Sequence, residues 1–482
     1  MVDFIPTSPG RQPGHPSTMR SGIRTFLPRF GSDEAVENNG KRAFIYCAIL
    51  LLITAVALAL RIALLDYTNL DLVDHFLPWL ERIRNNGFWP ALAKPFSKYG
   101  YTPFYTYAIG LADAILPAST DGKTIIKSVS IVFDFVAAAS AFLLVRLRWK
   151  EVRHAMVAYA AVLFAPTVVL NSAYWGQSDI VYAAFLLACI YFLLKQAPIR
   201  SMLCFGAAFA IKAQAAWLAP FVLMMVLRGR LRGWHLLLIP VVYVAFALPA
   251  LYVGRSLLEV ATIYLTQAAT QSTLTYSAAN LYFFPDYFFA HLGLWSEGIP
   301  LIAKCGLMLS VGVASFFAWQ TSRGRMDEES MLMAALVSVL IVPQCLPHMH
   351  NRYFFAADIL AIVLALWNPA WWWVAILMQF DSFVTYISFL WGNQLMAQPV
   401  PAWLAVFRFT NNLQPVTGLI AVASLANAAL LIVLWRALLK RLKHQGRHVK
   451  PERLYAQSSL EQPYAYFEHT VGTTPQMNDR QW

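Results

Sequence analysis

The chain has 482 residues, of which 59% are hydrophobic and only 13% are charged, whereas roughly a quarter of the residues in a soluble domain are charged. This composition excludes an ordinary soluble domain and indicates a protein whose solvent is the bilayer. The formal net charge of +12 would be compatible with a protein that binds nucleic acid. However, the basic residues form short clusters beside apolar runs, as in the cytoplasmic loops of membrane proteins, so we expect no nucleic-acid partner.

The two ends of the sequence differ in composition from the middle. The polar, Pro- and Gly-rich start, which includes RQPGHPSTMR, lacks the apolar core of a secretory signal, so we expect the first apolar run to remain in the mature chain. Residues 1–42 and 443–482 lack a hydrophobic period and are predicted to be disordered cytoplasmic segments. The membrane domain is expected to cover residues 43–442.

Twelve apolar runs predict an all-α polytopic membrane helix bundle, because a helix needs about twenty such residues to cross the bilayer and fewer inside a bundle. The runs cover residues 43–64, 125–145, 156–170, 180–194, 202–211, 216–227, 236–253, 301–319, 331–346, 353–367, 371–390 and 416–434. All five cysteines lie inside or beside such runs without CxxC spacing, so they predict neither a disulfide framework nor a metal site.

The positions of lysine and arginine predict the orientation. With the N-terminus inside, the clusters KR, RLRWKEVRH, RGRLRGWH, SRGR and the C-terminal tail all fall on the cytoplasmic side. We therefore expect both termini on the cytoplasmic side and the most polar loops on the opposite, outer side. The run 101–116 would break this pattern if it crossed, so we interpret it as a re-entrant or interfacial helix.

The first outer loop, residues 65–124, carries the candidate carboxylates. Apolar residues recur at helical spacing from Leu72 to Ile83, which predicts an amphipathic helix at the membrane surface. Asp71 and Asp74 are three residues apart and would share a face of that helix. From the residues alone, solvated surface acids or an N-terminal helix cap at Asp71 would also explain the two carboxylates.

Two further motifs place polar residues at or near the outer surface. NSAYWGQSD brings Trp175, Gln177 and Asp179 to the end of a span, where a tryptophan could equally belong to the aromatic belt. AFAIKAQAAW places Lys212 and Gln214 between two short helices. A lysine at that depth indicates a functional site, with snorkelling to the headgroups as the alternative.

The late outer segments add basic and sugar-compatible residues. LTYSAANLY contributes Asn280 to a loop rich in hydroxyl and aromatic groups. LPHMHNRYF begins a span, and its basic residues stand out on a side where cations are scarce. Phosphate is the natural partner of an outward arginine, and lipid headgroups are the alternative. The cationic candidates are His348, His350, Arg352, Arg255 and Arg408. Two histidines without a nearby third ligand do not predict a metal site.

The ordered set of motifs resembles bacterial members of the GT-C superfamily, the polytopic glycosyltransferases that take sugars from polyprenyl-phosphate carriers. The resemblance covers about residues 43–434 and rests on the acidic first outer loop with PW and YTPFYTY, LFAPTVVLNSAYWGQSD, FAIKAQAAWLAP, LTYSAANLY and LPHMHNRYFFAADIL. It implies a general base at Asp71, with Asp74 as its rival. It also implies a phosphate-binding H-x-R-Y element at His350, Arg352 and Tyr353. A Glu often precedes that arginine in related sequences, but here the residue is Asn351.

The resemblance implies an inverting hexosyl or mannosyl transfer from a polyprenyl-phosphate sugar to a glycolipid, polysaccharide or other glycan acceptor at the periplasmic face. It predicts membrane lipid as a further partner and no cofactor, although some relatives use a divalent metal. The predicted site has three parts. The base is Asp71 or Asp74; the phosphate ligands are Arg352, His350, His348, Lys212 and Arg255; the substrate contacts are Trp79, Tyr101, Trp175, Gln177, Asp179, Gln214, Asn280 and Tyr353.

Two other functions remain open from the sequence. A polysaccharide polymerase or ligase also uses an outer-face cavity with arginine and histidine, but it typically carries its large outer loop between late spans. A transporter or flippase of lipid-linked sugars would need ionisable residues within the membrane. Its candidates are Asp134, Lys212, Asp358 and Asp381.

Overall fold

The computed structural model describes residues 33–96, 101–269, 273–292, 295–392 and 414–447. The chain divides into two compact units, Met1–Ile49 and Leu50–Trp482. The described part of the first unit is the beginning of the first helix, and all later elements belong to the second unit. Arg408 lies outside the described residues, as do residues 1–32 and 448–482 of the predicted tails.

Eighteen α-helices and one pair of short strands lie within these described ranges. The helices are α1 Asp33–Ile62, α2 Leu77–Asn86, α3 Phe88–Leu92, α4 Pro103–Ile115, α5 Gly122–Arg148, α6 Val152–Leu163, α7 Pro166–Val169, α8 Asp179–Leu194, α9 Pro198–Ile211, α10 Ala219–Leu227, α11 Leu238–Tyr252, α12 Leu257–Ala269, α13 Phe283–Leu292, α14 Trp295–Thr321, α15 Glu328–Cys345, α16 Phe355–Trp367, α17 Trp372–Gly392 and α18 Gln414–Arg447. The strands are β1 Thr275–Tyr276 and β2 Met349–His350. π-Helical turns cover Leu72–Phe76 and Leu170–Trp175, and 3-10 turns cover Ala213–Leu218, Gly233–Leu237 and Pro369–Trp371.

The apolar runs of the sequence form helices that suit a membrane. Within the described ranges, seven helices are long and apolar enough to cross, and the pair Val152–Leu163 and Pro166–Trp175, bent by 46°, would make an eighth. Four shorter apolar helices follow the remaining predicted runs: Asp179–Leu194, Pro198–Ile211, Ala213–Leu227 and Phe355–Trp367. Each of the twelve predicted runs therefore coincides with one helical segment, and the predicted all-α polytopic membrane bundle is confirmed.

The predicted boundaries of the membrane domain need two corrections. Helix α1 begins at Asp33, so residues 33–42 are helical rather than disordered. Helix α18 runs on to Arg447, past the predicted start of the tail at residue 443. A helix satisfies its own backbone hydrogen bonds and can continue into water beyond the hydrocarbon layer, so a loss of apolar residues does not mark its end.

Helix α15 is the most enclosed helix among the described spans. All its residues from Ser330 to Gln344 are buried, and its contacts include α14, α16 and α18. A helix that is buried on every side reads as apolar all round. Helix α15 therefore runs through the interior of the bundle. Asp327 precedes it at one end, and the strand β2 follows it at the other end.

The first outer loop folds into a small packed unit of its own. The predicted apolar stripe is buried at Leu72, Phe76, Leu80 and Ile83, where it packs with residues of α4 and α5. Helix α4 has 13 residues, about 20 Å of rise, and is not among the helices that are apolar enough to cross. The loop's helices therefore support one another beside the bundle, as the interpretation of residues 101–116 requires.

A buried lysine fixes the start of this loop. Lys127 on α5 is fully buried, and its Nζ donates to the carbonyls of Leu64, Leu65 and Tyr67 at 3.0, 2.9 and 2.7 Å. Those carbonyls end the first span and would otherwise lack a donor. A cation at the C-terminal end of a helix is also favourable for the helix dipole, so Lys127 sets the direction in which the chain leaves α1.

We expect the substitution Lys127→Met to weaken both stability and turnover. It would leave three carbonyls without their donor, which costs about 1–3 kcal/mol for a buried group, and it would loosen the loop that carries Asp71. A lower thermal unfolding midpoint together with a reduced kcat would show this. Lys123→Met is the control because Lys123 lies one turn earlier and is partly exposed, and within the described residues its ammonium group contacts only Asp66. Equal effects of the two substitutions would contradict the anchoring role.

A buried ion pair joins α1, α5 and the bent pair Val152–Leu163 and Pro166–Trp175. Arg61 donates to Asp134 at 2.7 Å and to the carbonyls of Ala57 and Leu163 at 3.0 and 2.9 Å. Ser172 donates to the same carboxylate oxygen at 2.6 Å. Both charges are fully buried, and breaking such a pair is strongly destabilising. Asp134 therefore has a structural partner within the bundle.

The two strands bring distant parts of the chain together. β1 and β2 pair in parallel, with Thr275 opposite Met349 and Tyr276 opposite His350. His348 has a positive φ of 63°, its backbone N–H donates to Leu274 at 2.7 Å, and its ring contacts the carbonyl of Thr273. This short pairing fixes the segment between α15 and α16 on which Arg352 lies.

Candidate active site

Asp71 lies at the start of the π-helical turn Leu72–Phe76 but does not cap it. Its backbone is helical and its side chain makes no capping hydrogen bond. The cap is Asn69, whose Oδ1 accepts from the N–H of Leu72 at 3.1 Å and whose Nδ2 donates to the carbonyl of Trp175 at 2.7 Å. The alternative interpretation of Asp71 as a helix cap is therefore wrong, because its carboxylate makes no hydrogen bond to the helix backbone.

Two side chains hold that carboxylate from one side. The indole N–H of Trp175 donates to Asp71 Oδ2 at 2.8 Å, and Gln177 Nε2 donates to the same oxygen at 2.6 Å. Asp71 is half-buried, and within the described residues its Oδ1 accepts no hydrogen bond. One oxygen is thus fixed by the protein, and the other can meet a substrate.

The local fold of NSAYWGQSD explains why both donors reach Asp71. The π-helical turn Leu170–Trp175 ends at Gly176, which has a φ of +80°, a conformation that favours glycine. A Cβ at Gly176 would also lie 3.3 Å from Leu72 Cδ1. The hydroxyl of Ser130 donates to the carbonyl of Gln177 at 2.6 Å, so the chain is held on both sides of the glycine.

Asp179, at the first position of α8, is the buried centre of the site. It is fully buried, and Lys212 Nζ donates to its Oδ1 at 2.6 Å. Its Oδ2 accepts from Asn171 at 3.1 Å and lies 3.4 Å from Arg352 Nε. These contacts indicate that Asp179 positions two cations, and a direct contact between Asp179 and substrate stays a prediction.

Arg352 connects Asp179 with the Asp71 carboxylate. Its guanidinium lies over the ring of Trp175, 5.4 Å from the centroid, and Trp175 is the residue that donates to Asp71. Burial alone would lower the pKa of Arg352, but the charge of Asp179, followed by the contributions of Tyr101 and Asp71, raises it. Nη1 and Nη2 of Arg352 donate to no residue of the described ranges, so these two guanidinium nitrogens can bind an anion.

Lys212 lies where the sequence predicted it, at the break between α9 and the 3-10 turn Ala213–Leu218. Its backbone is extended, with a φ of −153°, and the hydroxyl of Thr102 donates to the preceding carbonyl of Ile211 at 3.0 Å. The break turns the ammonium group toward Asp179. Its alternative role, snorkelling to headgroups, does not fit a side chain that is 7% exposed and ion-paired.

A model of glycosyltransferase family 87 matches residues 99–343, which is just over half of the 482 residues. The chain belongs to glycosyltransferase family 87. The matched region contains Asp179 and Lys212, whereas Asp71 and Arg352 lie before and after it. This assignment confirms the predicted class, a membrane glycosyltransferase.

One solved structure that resembles this family 87 glycosyltransferase is the crystal structure of ArnT from Cupriavidus metallidurans bound to undecaprenyl phosphate. The two sequences are 13% identical, the match covers 83% of this chain and 78% of that chain, and the TM-score is 0.47. No curated protein matches the chain.

The imidazole of His350 lies beside the cations of this glycosyltransferase. It stacks on Tyr276 with 4.5 Å between centroids and contacts Tyr353 at 5.2 Å. Burial, followed by the charges of Arg352 and Lys212, lowers the pKa of His350 well below its ordinary value. The ring is therefore neutral and can share a hydrogen bond with a ligand but not an ion pair.

Several polar atoms around these residues are buried without a partner in the described structure. They include Asn171 Oδ1, Gln177 Oε1, Gln214 Oε1, Trp217 Nε1 and His350 Nδ1. Buried polar groups are almost always satisfied by protein, water or ligand. Their concentration beside Asp71, Asp179 and Arg352 indicates a site that binds a polar molecule.

The aromatic residues of the first outer loop form one edge of the site. Tyr101 is half-buried and packs edge-on against Trp79 at 4.9 Å. Burial raises the pKa of Tyr101, while Arg352 opposes this effect and Asp71 adds to it, which places its hydroxyl near both charges. Trp79 is only 4% exposed, so it supports Tyr101 and is not itself an open sugar platform.

Four other predicted residues have different surroundings. Asp74 is exposed, and Arg255 is paired with Glu259 at 2.7 Å. Asn280 is fully buried and donates to the carbonyl of Pro343 at 2.9 Å. His348 contacts the backbone beside β1. The contacts of the described residues thus give Arg255, Asn280 and His348 partners within the protein, and their assignment as ligands stays a prediction.

Asn69, Asn171 and Trp217 belong to the site but were not predicted as site residues. Asn69 precedes the carboxylate that it helps to place, and Asn171 begins the NSAYWGQSD motif. Trp217 lies 6.1 Å from Tyr353 between ring centroids. Motif proximity could have pointed to the two asparagines, but no sequence signal links Trp217 to Tyr353. The described residues contain no group of three His, Cys, Asp or Glu side chains that could hold a metal ion.

Proposed function

We propose that this family 87 enzyme is an inverting glycosyltransferase that moves a sugar, a hexose such as mannose, from a polyprenyl-phosphate carrier to a glycolipid or other glycan acceptor. Asp71 and Arg352 both contact Trp175: the Asp71 carboxylate accepts from the indole N–H at the edge of the ring, and the Arg352 guanidinium lies over the ring face. Within the described residues, one Asp71 oxygen and the two terminal nitrogens of Arg352 make no hydrogen bond. A base close to an anion site is what such a transfer needs.

The chemistry follows from these two positions. The free oxygen of Asp71 accepts the proton of the acceptor hydroxyl as that oxygen forms a bond with the anomeric carbon. The bond between the anomeric carbon and the phosphate oxygen breaks on the opposite side, which inverts the configuration. The departing polyprenyl phosphate takes up the electron pair and is held by Arg352 and Lys212.

The charges of the site favour the departing group over the intact donor. Asp71 and Asp179 balance Lys212 and Arg352, so these four residues are neutral together. The donor is a phosphodiester with one negative charge, and the released carrier phosphate gains a second. Interactions that grow as charge develops accelerate the chemical step rather than binding alone. Asp179 keeps both cations in place before the donor arrives.

The buried charges support this proposal over a transporter. Asp134 is paired with Arg61, and Lys212 is paired with Asp179 within the site. Asp358 accepts from Ser382 at 2.8 Å, so it also has a partner inside the bundle. Two of the four transporter candidates are thus fixed in ion pairs, and one of those pairs belongs to the site of transfer.

We place the enzyme in a bacterial inner membrane, with Asp71 at the periplasmic face and both termini in the cytoplasm. The basic clusters support this orientation. Arg148 ends α5, Arg228 follows α10 and Arg323 follows α14, and each lies at the end of its helix remote from Asp71. An excess of Lys and Arg marks the cytoplasmic side.

The test of this function is turnover of a defined donor. We would incubate the purified enzyme with polyprenyl-phosphate hexoses, mannose first, and with glycolipids extracted from membranes as acceptors. We expect loss of donor and a glycosidic product of inverted anomeric configuration, seen by NMR. Retention of configuration would contradict the direct displacement. Movement of intact donor across a vesicle membrane without cleavage would favour a transporter.

A further inference from the structure

At the end of the bundle remote from Asp71, arginines surround a cavity of about 500 Å³. The cavity is lined by Met225, Arg228, Arg230, Gly324, Arg325, Met326 and Met331. It contains three arginines and no acidic residue, and its methionines provide an apolar floor. Helix α15 has 18 residues between this end and the strand β2, so the cavity lies about 27 Å from the candidate active site. We refer to it as the arginine pocket.

One of the three arginines organises the pocket. Arg228 donates to the carbonyl of Thr321 at 2.9 and 2.6 Å and to those of Arg323 and Gly324 at 2.9 Å each. Gly324 has a φ of +82°. These bonds hold the turn after α14 in place, and that turn presents Arg325 to the cavity.

The other two arginines have no counter-charge. Arg230 and Arg325 are exposed, and no carboxylate of the described ranges pairs with either. Burial lowers the pKa of Arg228 to about 10, and the charge of Arg230 adds to this effect. Three positive charges thus lie around one cavity without compensation, which favours an anion.

The acidic residues nearby line an adjoining cavity of about 420 Å³, which shares Arg230, Met326 and Met331 with the arginine pocket. Arg441 holds two of them, with 2.9 Å to Asp327 and 2.9 Å to Glu329. Glu329 also accepts from Asn368 at 2.8 Å and from Trp371 at 3.1 Å. Glu328 is exposed at the same rim. Two of the three acids therefore have partners on α18 or on the turn after α16, and neither pairs with Arg325.

Exposed apolar side chains lie next to the arginine pocket on the two helices that bound it. Leu223 and Leu227 on α10 are 42% and 53% exposed, and Phe316 and Trp319 on α14 are 50% and 52% exposed. These side chains suit acyl chains rather than water. Basic pockets between membrane helices bind the headgroups of anionic lipids.

We propose that the arginine pocket binds the phosphate of an anionic phospholipid from the leaflet opposite Asp71, with the acyl chains along α10 and α14. The site is independent of the proposed transfer reaction. Arg230 and Arg325 contact the phosphate, Arg228 shapes the pocket, and the methionines pack beneath the glycerol.

The experiment compares two lipids with the same acyl chains. Purified full-length protein is titrated with palmitoyl-oleoyl phosphatidylglycerol or phosphatidylcholine, and bound lipid is counted by native mass spectrometry. We expect one site with roughly tenfold preference for phosphatidylglycerol. The double variant Arg230→Gln, Arg325→Gln should lose that preference without loss of folding, because neither side chain bonds to a residue of the described ranges.

Arg200→Gln is the matched control, since Arg200 is an exposed arginine at the same end of the bundle but outside the cavity. It should leave the preference unchanged. An equal loss in the control would overturn the proposal, because the effect would then come from general surface charge. Equal binding of both lipids by the wild type would also overturn it. Displacement of the lipid by millimolar inorganic phosphate would identify a soluble anion as the ligand instead.

Discussion

Substitution of Asp71 by asparagine is expected to abolish sugar transfer while donor binding persists. Asparagine has the same shape, and its Oδ1 can still accept from the indole of Trp175 and the amide of Gln177. The fold around the π-helical turn is therefore preserved. The amide cannot take the proton of the acceptor hydroxyl, so the step that forms the glycosidic bond loses its base.

General-base catalysis contributes typically 10²–10⁴-fold to a rate, so we expect kcat to fall by roughly a thousandfold, or about 4 kcal/mol in the activation free energy. The dissociation constant of the donor should change little, because in the proposed arrangement Arg352 and Lys212 hold its phosphate. The measurement is single-turnover transfer with saturating donor, together with direct binding of the same donor.

Asp74→Asn is the matched control for this experiment. Asp74 belongs to the same π-helical turn, carries the same charge and is exposed. The sequence left it as a rival base, and the structure gives Asp71 rather than Asp74 the contacts with Trp175 and Gln177. If Asp74→Asn lost transfer and Asp71→Asn kept it, the proposed assignment of the base would be wrong.

Hydrophobic patterning was sufficient to predict the bundle, because the bilayer imposes it directly on the sequence. Every predicted run corresponds to a helix, including the two short ones that meet at Lys212. The ends were harder to place. Helix α1 starts ten residues before the predicted boundary of 43, since polar residues can extend a helix into water without any apolar signal.

The site was predictable in its motifs and not in its contacts. The sequence brought forward Lys212 and Arg352 because charged residues are unusual beside outer-face apolar segments, and it brought forward Asp71 and Trp175 through the motifs that contain them. It could not show that Asp179 would be enclosed by two of these cations. That arrangement depends on the packing of three separate segments.

The same limit explains why the sequence grouped Arg255 with Arg352 although their partners differ. Arg255 and Arg352 look alike in the sequence, since both are outer-face arginines beside apolar runs. Glu259 lies four residues after Arg255 and pairs with it, an arrangement that helical spacing permits. Arg352 is preceded by Asn351 rather than a carboxylate, and its partner is Asp179, at the start of the distant helix α8. The two terminal nitrogens of Arg352 make no hydrogen bond within the described residues.

Arg352→Ala is expected to weaken donor binding by roughly a hundredfold. Charge-assisted hydrogen bonds contribute about 1.5–3 kcal/mol each, and a guanidinium fork can make two of them to one phosphate. Loss of the side chain would also remove the cation that lies over Trp175. Equilibrium binding of a polyprenyl-phosphate sugar to the purified variant measures the effect, and kcat should fall as well because the released carrier phosphate loses a cation.

Arg352→Lys distinguishes charge from geometry. Lysine keeps the positive charge beside Asp179 but presents a point charge in place of a planar fork. We expect binding between that of the wild type and that of the alanine variant, with roughly tenfold weakening. If lysine restored wild-type affinity, charge alone would explain the site, and the open fork would have no specific role.

Arg255→Ala is the control for both variants, because Arg255 is also a buried arginine but is paired with Glu259. It should leave donor affinity within about twofold of the wild type, since Glu259 is partly exposed and water can solvate the unpaired carboxylate. Equal weakening by Arg255→Ala and Arg352→Ala would instead move the phosphate toward Arg255. Weaker donor binding in Arg352→Ala, beside normal binding and lost transfer in Asp71→Asn, would separate the anion site from the base.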